Sequence, residues 1–370
     1  MKECKFNIVV DGQWGSCGKG LIASYLAKEH NVGVASTNNL PNAGHTAVLG
    51  DDSSFVSKIL PVSSFLNTIG QNVKAYIGPG AGFKLTQLFL EMEQCGVALD
   101  DVRIHPRAMV VTDKHTALER GELSVQGTKH IASTMQGSGA VQAEKLMRGS
   151  NVLLAKDHPE LEGMIVHNWI DEVHALLDGS MWLHEGSQGF SLGVNHGSHY
   201  PACTSRECTV SREMMDMGLA PQQIGDVYVV IRPYPIRVGN VVENGRQVGY
   251  SGDCYNDQKE LTWADIKASS GYPSDYDLHE MTTVTKRLRR VFTFSMDQVR
   301  QACMVNGATK LALNFANYLD YGCFRSSGRN VDKLPVTVRG FIDKLESELN
   351  LPVTIVGTGP SIKHVWELES

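Results

Sequence analysis

The stretch FNIVVDGQWGSCGKGLIASYLAK, residues 6–28, decides the fold class. Its first part, Phe6 to Val10, is a short apolar run typical of a buried strand, and the glycine-rich residues 11–20 follow directly. From Leu21 to Lys28 the apolar residues recur at helical spacing, so the stretch predicts a strand, a loop and a helix in that order. Such a loop lets backbone N–H groups approach an anion, and Lys19 adds a point charge suited to a phosphate.

The loop differs from a Walker A motif. Gly12 and Gly18 enclose five residues where that motif has four, and Gly20 stands in place of its Ser or Thr. The bland alternative for this segment is a tight strand-to-helix turn that leaves Lys19 exposed.

The alternation of strand and helix continues along the chain. Further strands are predicted at Val32 to Ser36, Ala75 to Ile77, Asn151 to Leu154, Ser180 to Leu183, Val227 to Ile231, Lys310 to Asn314 and Val353 to Val356, and a helix at Lys84 to Gln94. This order predicts an α/β protein with a large, twisted, mainly parallel sheet and helices on both faces. Because no repeat or charged linker divides the chain, residues 1–370 are expected to form a single elaborated domain, with a loop-rich insertion near 235–275.

Composition narrows the function. With 34 Lys and Arg against 40 Asp and Glu, the 370-residue chain carries a net charge of −6, which argues against a protein that coats a nucleic-acid backbone. Neither a long apolar leader nor a run of about eighteen apolar residues occurs, so a cytoplasmic location is expected. The eight cysteines form no CxxC pair, so the sequence indicates neither a disulfide framework nor a structural zinc site.

Other polar loops suit a nucleotide. Residues 38–46 contain His45, which could present its imidazole to a metal-bound phosphate, and residues 133–139, 185–189 and 203–206 are small and able to form hydrogen bonds. Residues 282–290 hold four basic side chains within five positions, a pattern able to clamp a carboxylate. Each loop also has a bland explanation: a surface histidine, an ordinary loop, or a solvated basic face.

Taken in order, these loops resemble the motifs of the adenylosuccinate synthetase family. The family's QWGDEGKG is matched by residues 13–20, its NAGHT by 42–46, its EGAQG by 185–189 and, loosely, its TTGRRRR by 283–290. The resemblance extends to residues 357–360 and so covers nearly the whole chain. Within the family the sequence is most similar to a bacteriophage branch that serves DNA in which 2-aminoadenine replaces adenine.

The resemblance implies both a fold and a reaction. The fold is adenylosuccinate synthetase-like and P-loop-related, in a homodimer. The reaction is that of a ligase: dGMP, L-aspartate and ATP or dATP give N6-succino-2-amino-2'-deoxyadenylate, ADP or dADP, and phosphate, through a 6-phosphoryl intermediate. Mg²⁺ is the implied cofactor, neither nucleic acid nor membrane is an implied partner, and the host-cell cytoplasm is the implied location.

The resemblance also implies roles for individual residues. The catalytic residues would be Ser16, Lys19 and His45. The donor nucleotide would contact Gly15, Ser16, Cys17, Gly18, Lys19, Gly20, Gly44, His45, Thr46, Asn314, Asn317, Gly357, Gly359 and Pro360. The dGMP would contact Ser16, Asn42, Thr134, Gln188, Thr204, Arg287 and, from the second subunit, Arg148. Aspartate would contact Thr283, Val284, Thr285, Arg287 and Arg289, and Mg²⁺ would contact Ser16 and Gly44.

Two positions depart from the family pattern. Ser16 stands where the family has its catalytic aspartate, and a serine can relay a proton or donate a hydrogen bond but cannot serve as a free base at neutral pH. Asn317 stands where the family has the aspartate that recognises guanine. Since an amide cannot accept from both N1–H and the 2-amino group of guanine, a donor that carries adenine is expected. An IMP-using adenylosuccinate synthetase and a catalytically inactive nucleotide-binding regulator remain the alternatives.

Overall fold

The computed structural model describes residues 5–123, 127–179, 181–282 and 286–368. The strands within these residues are β1 (Phe6–Asp11), β2 (Val34–Thr37), β3 (His45–Val48), β4 (Ser54–Ser57), β5 (Lys74–Ile77), β6 (Gly82–Phe83), β7 (Val102–Ile104), β8 (Met109–Val110), β9 (Trp182–Glu185), β10 (Ile224–Ile231), β11 (Ile236–Arg237), β12 (Val241–Glu243), β13 (Arg246–Gly249), β14 (Glu260–Leu261), β15 (Arg290–Phe292), β16 (Lys310–Leu313), β17 (Val353–Gly357) and β18 (Val365–Glu367). The α-helices are α1 (Lys19–Glu29), α2 (Leu85–Cys95), α3 (Asp113–Arg120), α4 (Ser138–Met147), α5 (Trp169–Leu176), α6 (Val210–Met217), α7 (Trp263–Ser270), α8 (Met296–Asn306) and α9 (Val336–Leu349).

Nine of these strands form one central sheet in the order β18-β17-β16-β10-β1-β9-β2-β5-β7. Neighbouring strands run parallel except for β17 and β18, which pair antiparallel at one edge. The predicted mainly parallel sheet is therefore confirmed. Because β1 lies in the middle of the sheet, the glycine-rich loop that follows it emerges at the centre of the molecule.

Helices cover both faces of the sheet, as predicted. Phe6, Ile8 and Val10 of β1 point to one face and pack in a core with α5, α6, α8 and α9. Val9 points to the other face, where α1, α2 and the 3₁₀ helix Val62–Ile69 form a second core. The alternation along β1 thus gives one strand two apolar partners, which is why its sequence is almost continuously apolar.

One predicted strand is wrong. Residues 151–154 form a turn that leads into a 3₁₀ helix, and only Leu154 makes a single bridge, to Met109. The apolar run is short, and Leu153 is 56% exposed, so it has no buried face to contribute to a sheet. The strand predicted at Ser180 to Leu183 corresponds to β9. Residue 180 itself lies outside the described residues.

The segment near 235–275 contains more regular structure than the sequence indicated. It carries β11 to β14 and also the helix α7, which was not predicted. A capping box begins α7, since Thr262 accepts from the Asp265 backbone and Asp265 binds back to residue 262. That Thr-x-x-Asp spacing was a readable start signal. A small core around Ile236, Trp263 and Ile266 holds the segment together; its status as an insertion in a single domain stays a prediction.

The parallel strands carry their carboxyl ends to one edge of the sheet, where ligands bind in such folds. The loops after β1, β2, β9 and β10 therefore meet there. No helix in the part of the chain that the structure describes combines the length and the apolar character needed to cross a membrane.

A buried carboxylate on α2 gives a test of this packing. Glu91 is fully buried and accepts from the backbone N–H groups of Lys58, Ile59 and Leu60 at 2.9 to 3.0 Å. Glu91→Gln places an amide NH₂ against these donors and is expected to lower the free energy of unfolding by about 2 kcal/mol. Urea denaturation measures this, with exposed Glu93→Gln on the same helix as the control; equal stabilities for the two variants would contradict the assignment.

Candidate active site

The Asp11 carboxylate organises the glycine-rich loop. Its Oδ1 accepts from the backbone N–H groups of Gln13 at 2.9 Å and Gly15 at 3.0 Å, and its Oδ2 accepts from that of Cys17 at 2.9 Å. Lys19 Nζ lies 3.5 Å from the same Oδ2. One side chain at the end of β1 therefore fixes the path of the following loop.

Lys19 faces inward rather than toward solvent. It is 4% exposed, and its Nζ donates to the Gln188 carbonyl at 2.7 Å, so the alternative of an exposed lysine on a turn is wrong. Gly18 precedes it with a φ of 81°, and a Cβ there would lie 2.0 Å from Asn314 Nδ2. Only glycine satisfies both the backbone angle and this close approach.

His45, at the start of β3, is positioned by a carboxylate. Its Nδ1 lies 2.9 Å from Glu185 Oε1, and the other carboxylate oxygen accepts from the Val62 N–H at 2.9 Å. Burial raises the pKa of Glu185, but His45, the Val62 N–H and Lys19 outweigh it and hold that pKa below its usual value of 4.5. An ionised Glu185 thus keeps a negative charge directly beside the imidazole.

A cavity of about 360 Å³ opens among these loops. It brings together many of the residues that the sequence predicted for the site: Gly15, Ser16, Gly18, Lys19, Gly20, Asn42, Gly44, His45, Thr46, Thr134, Gln188, Thr204 and Arg289. Loops far apart in sequence thus share one cavity. Asn42 Nδ2 lies 3.4 Å from Thr204 Oγ1, which joins the loops after β2 and β9 directly.

Other predicted site residues do not line this cavity. They are Cys17, Arg148, Arg287, Asn314, Asn317, Gly357, Gly359 and Pro360, while Thr283, Val284 and Thr285 lie outside the described residues. Arg287 donates to the carbonyls of Gly239 and Ala132, beside the cavity wall. Asn314 Nδ2 donates to the Cys17 carbonyl at 3.1 Å, so this asparagine supports the glycine-rich loop from below.

Ser16 is held by two arginines. Its hydroxyl accepts from Arg289 at 2.6 Å, and its carbonyl accepts from Arg232 at 3.0 Å. Both arginines lie beside Glu280, which forms an ion pair with Arg232 and also accepts from the Tyr318 hydroxyl at 3.0 Å. Burial raises the pKa of Glu280, but the charge and hydrogen bond of Arg232, the charge of Arg289 and the hydrogen bond from Tyr318 together lower it. Ser16, which stands where the family has its aspartate, is therefore bound by two positively charged side chains.

A second buried ion pair holds the loops around Thr204. Arg206 donates to the Asn38 carbonyl at 2.7 Å and to the Ser187 hydroxyl, and lies 3.3 Å from Glu213 Oε1. Burial raises the pKa of Glu213, but Arg206 and His184 outweigh it and lower the pKa to about 2. This ion pair therefore joins the loop after β2, the long connection between β9 and α6, and α6 itself.

Sequence reasoning missed several residues with a role in this geometry. Asp11 and Glu185 belong to the motifs at residues 11–20 and 185–189, but the sequence predicted no role for either side chain. Arg237, Ser251 and Glu280 also line the cavity. No local signal marks these three, because only the packing of the segment after β10 brings them to the loop after β1.

The chain belongs to the adenylosuccinate synthetase family: the model of that family matches residues 8–156 and 154–322. It is 37% identical over 325 residues to the N6-succino-2-amino-2'-deoxyadenylate synthase of Vibrio phage phiVC8, a match that covers 85% of this chain and 86% of that protein. It is 34% identical over 386 residues to the synthase of the same name from Salmonella phage PMBT28, covering 98% and 97%.

A solved structure agrees with these relatives. Cyanophage S-2L succinoaminodeoxyadenylate synthetase, bound to dGMP and to dATP as an energy donor, matches with a TM-score of 0.81 and 32% sequence identity. The match covers 100% of this chain and 97% of that one. The predicted family and fold are confirmed.

The pairing of Glu185 with His45 predicts a pH-dependent stability. Glu185→Gln is expected to lower the free energy of unfolding by about 2 kcal/mol at pH 7, because an ionised acceptor is lost. Since the folded-state pKa lies below 4.5, the wild-type advantage is fully present above pH 4.5 and diminishes as the pH falls below it.

Urea denaturation at pH 7, 5.5 and 4 measures this difference. Glu348→Gln, which removes only a surface partner of Arg300, serves as the control and is expected to change stability by less than about 0.5 kcal/mol. If the difference in free energy of unfolding between wild type and Glu185→Gln stays constant down to pH 4, Glu185 is not paired with His45 in its ionised form.

Proposed function

We propose that this chain is a ligase that joins the amine of L-aspartate to C6 of dGMP at the expense of ATP or dATP. The observation that carries the proposal is that Ser16, Lys19 and His45 line one cavity. The phage synthases support the choice of dGMP, since the S-2L enzyme was solved with dGMP and dATP. The γ-phosphate would pass to the purine O6, and the aspartate amine would then displace phosphate at C6.

The donor phosphates are assigned to the loop after β1. Lys19 lies inside the cavity wall and the N–H groups of Gly18 and Gly20 stand at the start of α1, where a helix favours an anion. His45, which lies beside the Glu185 carboxylate, would donate a hydrogen bond or a proton toward the transferring group. These groups stabilise charge that develops during phosphoryl transfer.

Aspartate is assigned to the segment 283–289. Arg289 already reaches the cavity, where it donates to Ser16, and Arg287 lies behind the loop at Ala132. Guanidinium groups bind carboxylates through paired hydrogen bonds, so the two carboxylates of aspartate suit this pair. Thr283, Val284 and Thr285 keep their assignment as aspartate contacts.

The nucleotide monophosphate is assigned to the opposite wall. Asn42, Thr134, Gln188 and Thr204 all line it and offer amide and hydroxyl groups. Ser16 would face the N1 and 2-amino edge of the purine, where its small side chain leaves room for the 2-amino group. Because Arg289 donates to the Ser16 oxygen, the serine proton remains available to donate to the purine.

Mg²⁺ is proposed as the cofactor. The described residues contain no group of three or more His, Cys, Asp or Glu side chains arranged around a metal, and Ser16 and Gly44 offer one hydroxyl and one carbonyl oxygen. This small set fits an ion held mainly by nucleotide phosphates and water, as is usual for Mg²⁺. When bound, the ion neutralises charge on the phosphates.

The donor base is assigned to the region of Asn317. This side chain is 4% exposed, and its Nδ2 donates to the Tyr272 hydroxyl at 2.6 Å. With the nitrogen held in this way, the amide oxygen is left to accept from a base amino group such as N6 of adenine. Asn314, Gly357, Gly359 and Pro360 keep their assignment as donor contacts beside it.

A homodimer is proposed, with Arg148 contributed to the dGMP 5'-phosphate of the partner. Arg148 is exposed at the end of α4, away from the cavity of its own chain. The neighbouring side chains of Leu146 and Met147 are 76% and 79% exposed, an apolar surface that a second copy would cover. The cytoplasm of the host cell is the proposed location.

Phosphate release tests the reaction. With L-aspartate and ATP present, wild-type protein is expected to turn over dGMP faster than dIMP, and Ser16→Asp is expected to shift that ratio toward dIMP because the carboxylate fills the space beside the 2-amino group. An unchanged ratio would show that Ser16 does not select the purine. Turnover of IMP or dIMP alone would favour an ordinary adenylosuccinate synthetase, and no turnover would favour an inactive regulator.

Lys19→Ala controls for a contaminating host enzyme. It is expected to lower the rate at least about a hundredfold, since a positioned charge at the transferred phosphate is lost. A near-normal rate would place phosphoryl transfer elsewhere.

The base preference of the donor tests the role of Asn317. Wild type is expected to use ATP and dATP at least about tenfold faster than GTP, because guanine would leave a buried donor unpaired at a cost of about 1–3 kcal/mol. Asn317→Asp is expected to narrow that gap, whereas Asn330→Asp at the surface is expected to leave it unchanged. Equal wild-type rates with GTP and ATP would contradict the assignment.

A further inference from the structure

Three arginines near the cavity are almost fully buried, and two of them have carboxylate partners. Arg206 is 2% exposed and pairs with Glu213, and Arg232 is 0% exposed and pairs with Glu280. Burying a charge without a partner is costly, so each pair accounts for its own arginine.

Arg237, at the end of β11, breaks this rule. It is 3% exposed, yet among the described residues no carboxylate oxygen lies within 4.0 Å of its guanidinium. Its hydrogen bonds go to neutral acceptors: the carbonyls of Ala202, Ser251 and Asp253 and the hydroxyl of Ser198. Its Nε has no hydrogen-bond partner among the described atoms, which is equally true of the Nε atoms of Arg206 and Arg232, so the missing carboxylate is what sets Arg237 apart.

The charged groups around Arg237 are already engaged with others. The Asp253 carboxylate accepts from the Tyr250 hydroxyl and lies 3.4 Å from His199. Arg290, a second cation nearby, forms an ion pair with Glu260. Burial first, and then Arg290, lower the pKa of Arg237 to about 10, which leaves it charged at neutral pH. The face of the Trp14 ring, 4.9 Å away, offers it a weak partner.

The position of Arg237 shows where the missing anion would lie. Arg237 lines the cavity together with Ala202, Thr204 and Ser251. It holds the carbonyl of Ala202 at 3.1 Å, two residues before Thr204, and so fixes the loop that carries that hydroxyl. Arg206 holds the same loop from the other side. The uncompensated charge therefore stands at the wall that carries Thr204, against the Trp14 ring of the loop after β1.

We propose that Arg237 provides the counter-charge for the phosphate monoester of the mononucleotide substrate, and that bound phosphate completes the ion pair that the chain itself lacks. This rests on the proposed function only for the identity of the mononucleotide. Arg237 acts at close range through its charge, and it positions Thr204 through the Ala202 carbonyl. A dianionic phosphate suits this wall because hydroxyl groups there add donors around it.

Calorimetric titration with dGMP and with 2'-deoxyguanosine, in the absence of other substrates, tests the proposal. Arg237→Met is expected to weaken dGMP binding at least tenfold while deoxyguanosine binding changes less than threefold. Arg237→Lys keeps the charge and is expected to retain most of the preference for dGMP. Arg290→Met, which removes a nearby but paired cation, is expected to leave the preference within twofold of wild type.

The following binding results would overturn the proposal. Equal losses for both ligands, with Lys no better than Met, assign Arg237 a purely structural role. Unchanged dGMP binding combined with a raised KM for aspartate assigns its charge to a substrate carboxylate. If Arg237→Met does not fold, the Arg237→Lys variant provides the test. A folded Lys variant that has lost the preference for dGMP over deoxyguanosine excludes a role for the charge. Because binding needs no turnover, a chain that prefers dGMP but does not ligate aspartate contradicts the proposed reaction and leaves this inference standing.

Discussion

The Asp11 carboxylate is the constraint on which the site depends. It sits at the end of the central strand, buried at 2% exposure, and accepts from three backbone N–H groups of the loop that follows. Bonds to an ionised acceptor are stronger than neutral ones, and a buried N–H without a partner is costly, so the loop has one low-energy path. That path places Lys19 at the cavity and makes Gly18 the N-cap of α1.

Buried ion pairs extend this order to loops that lie far apart in sequence. Arg206 and Glu213 join the loops after β2 and β9, while Arg232 and Glu280 join the loop after β1 to the segment before β15. Such pairs add little net stability, because desolvation offsets their attraction. Their geometry is nevertheless demanding, since a misplaced partner leaves a buried charge. They therefore specify the cavity walls more than they stabilise the fold.

The sequence predicted those parts of the site that are local. The glycine-rich loop follows its strand directly, and Asn42, His45, Gln188 and Thr204 each stand in a short polar motif, to which the family resemblance gave a role at the nucleotide. The strand predicted at residues 151–154 failed because an apolar run says nothing about whether a neighbouring strand exists to pair with it. Helix α7 was missed although its capping box was present, because the glycine-rich and asparagine-rich surroundings dominated the interpretation.

By itself, the sequence determined the mainly parallel α/β sheet and the anion-binding loop after β1, because these follow from hydrophobic period and glycine placement. Through its resemblance to the family, the sequence also showed that Ser16 stands in place of an acidic residue. Only the tertiary structure decided that Arg289 bonds to Ser16, that Glu185 lies against His45 and that Arg237 is buried without a carboxylate partner among the described residues. Those facts depend on contacts between segments separated by more than a hundred residues, or on the packing around a side chain. Burial and pairing of a charge are properties of that packing, and no local pattern encodes them.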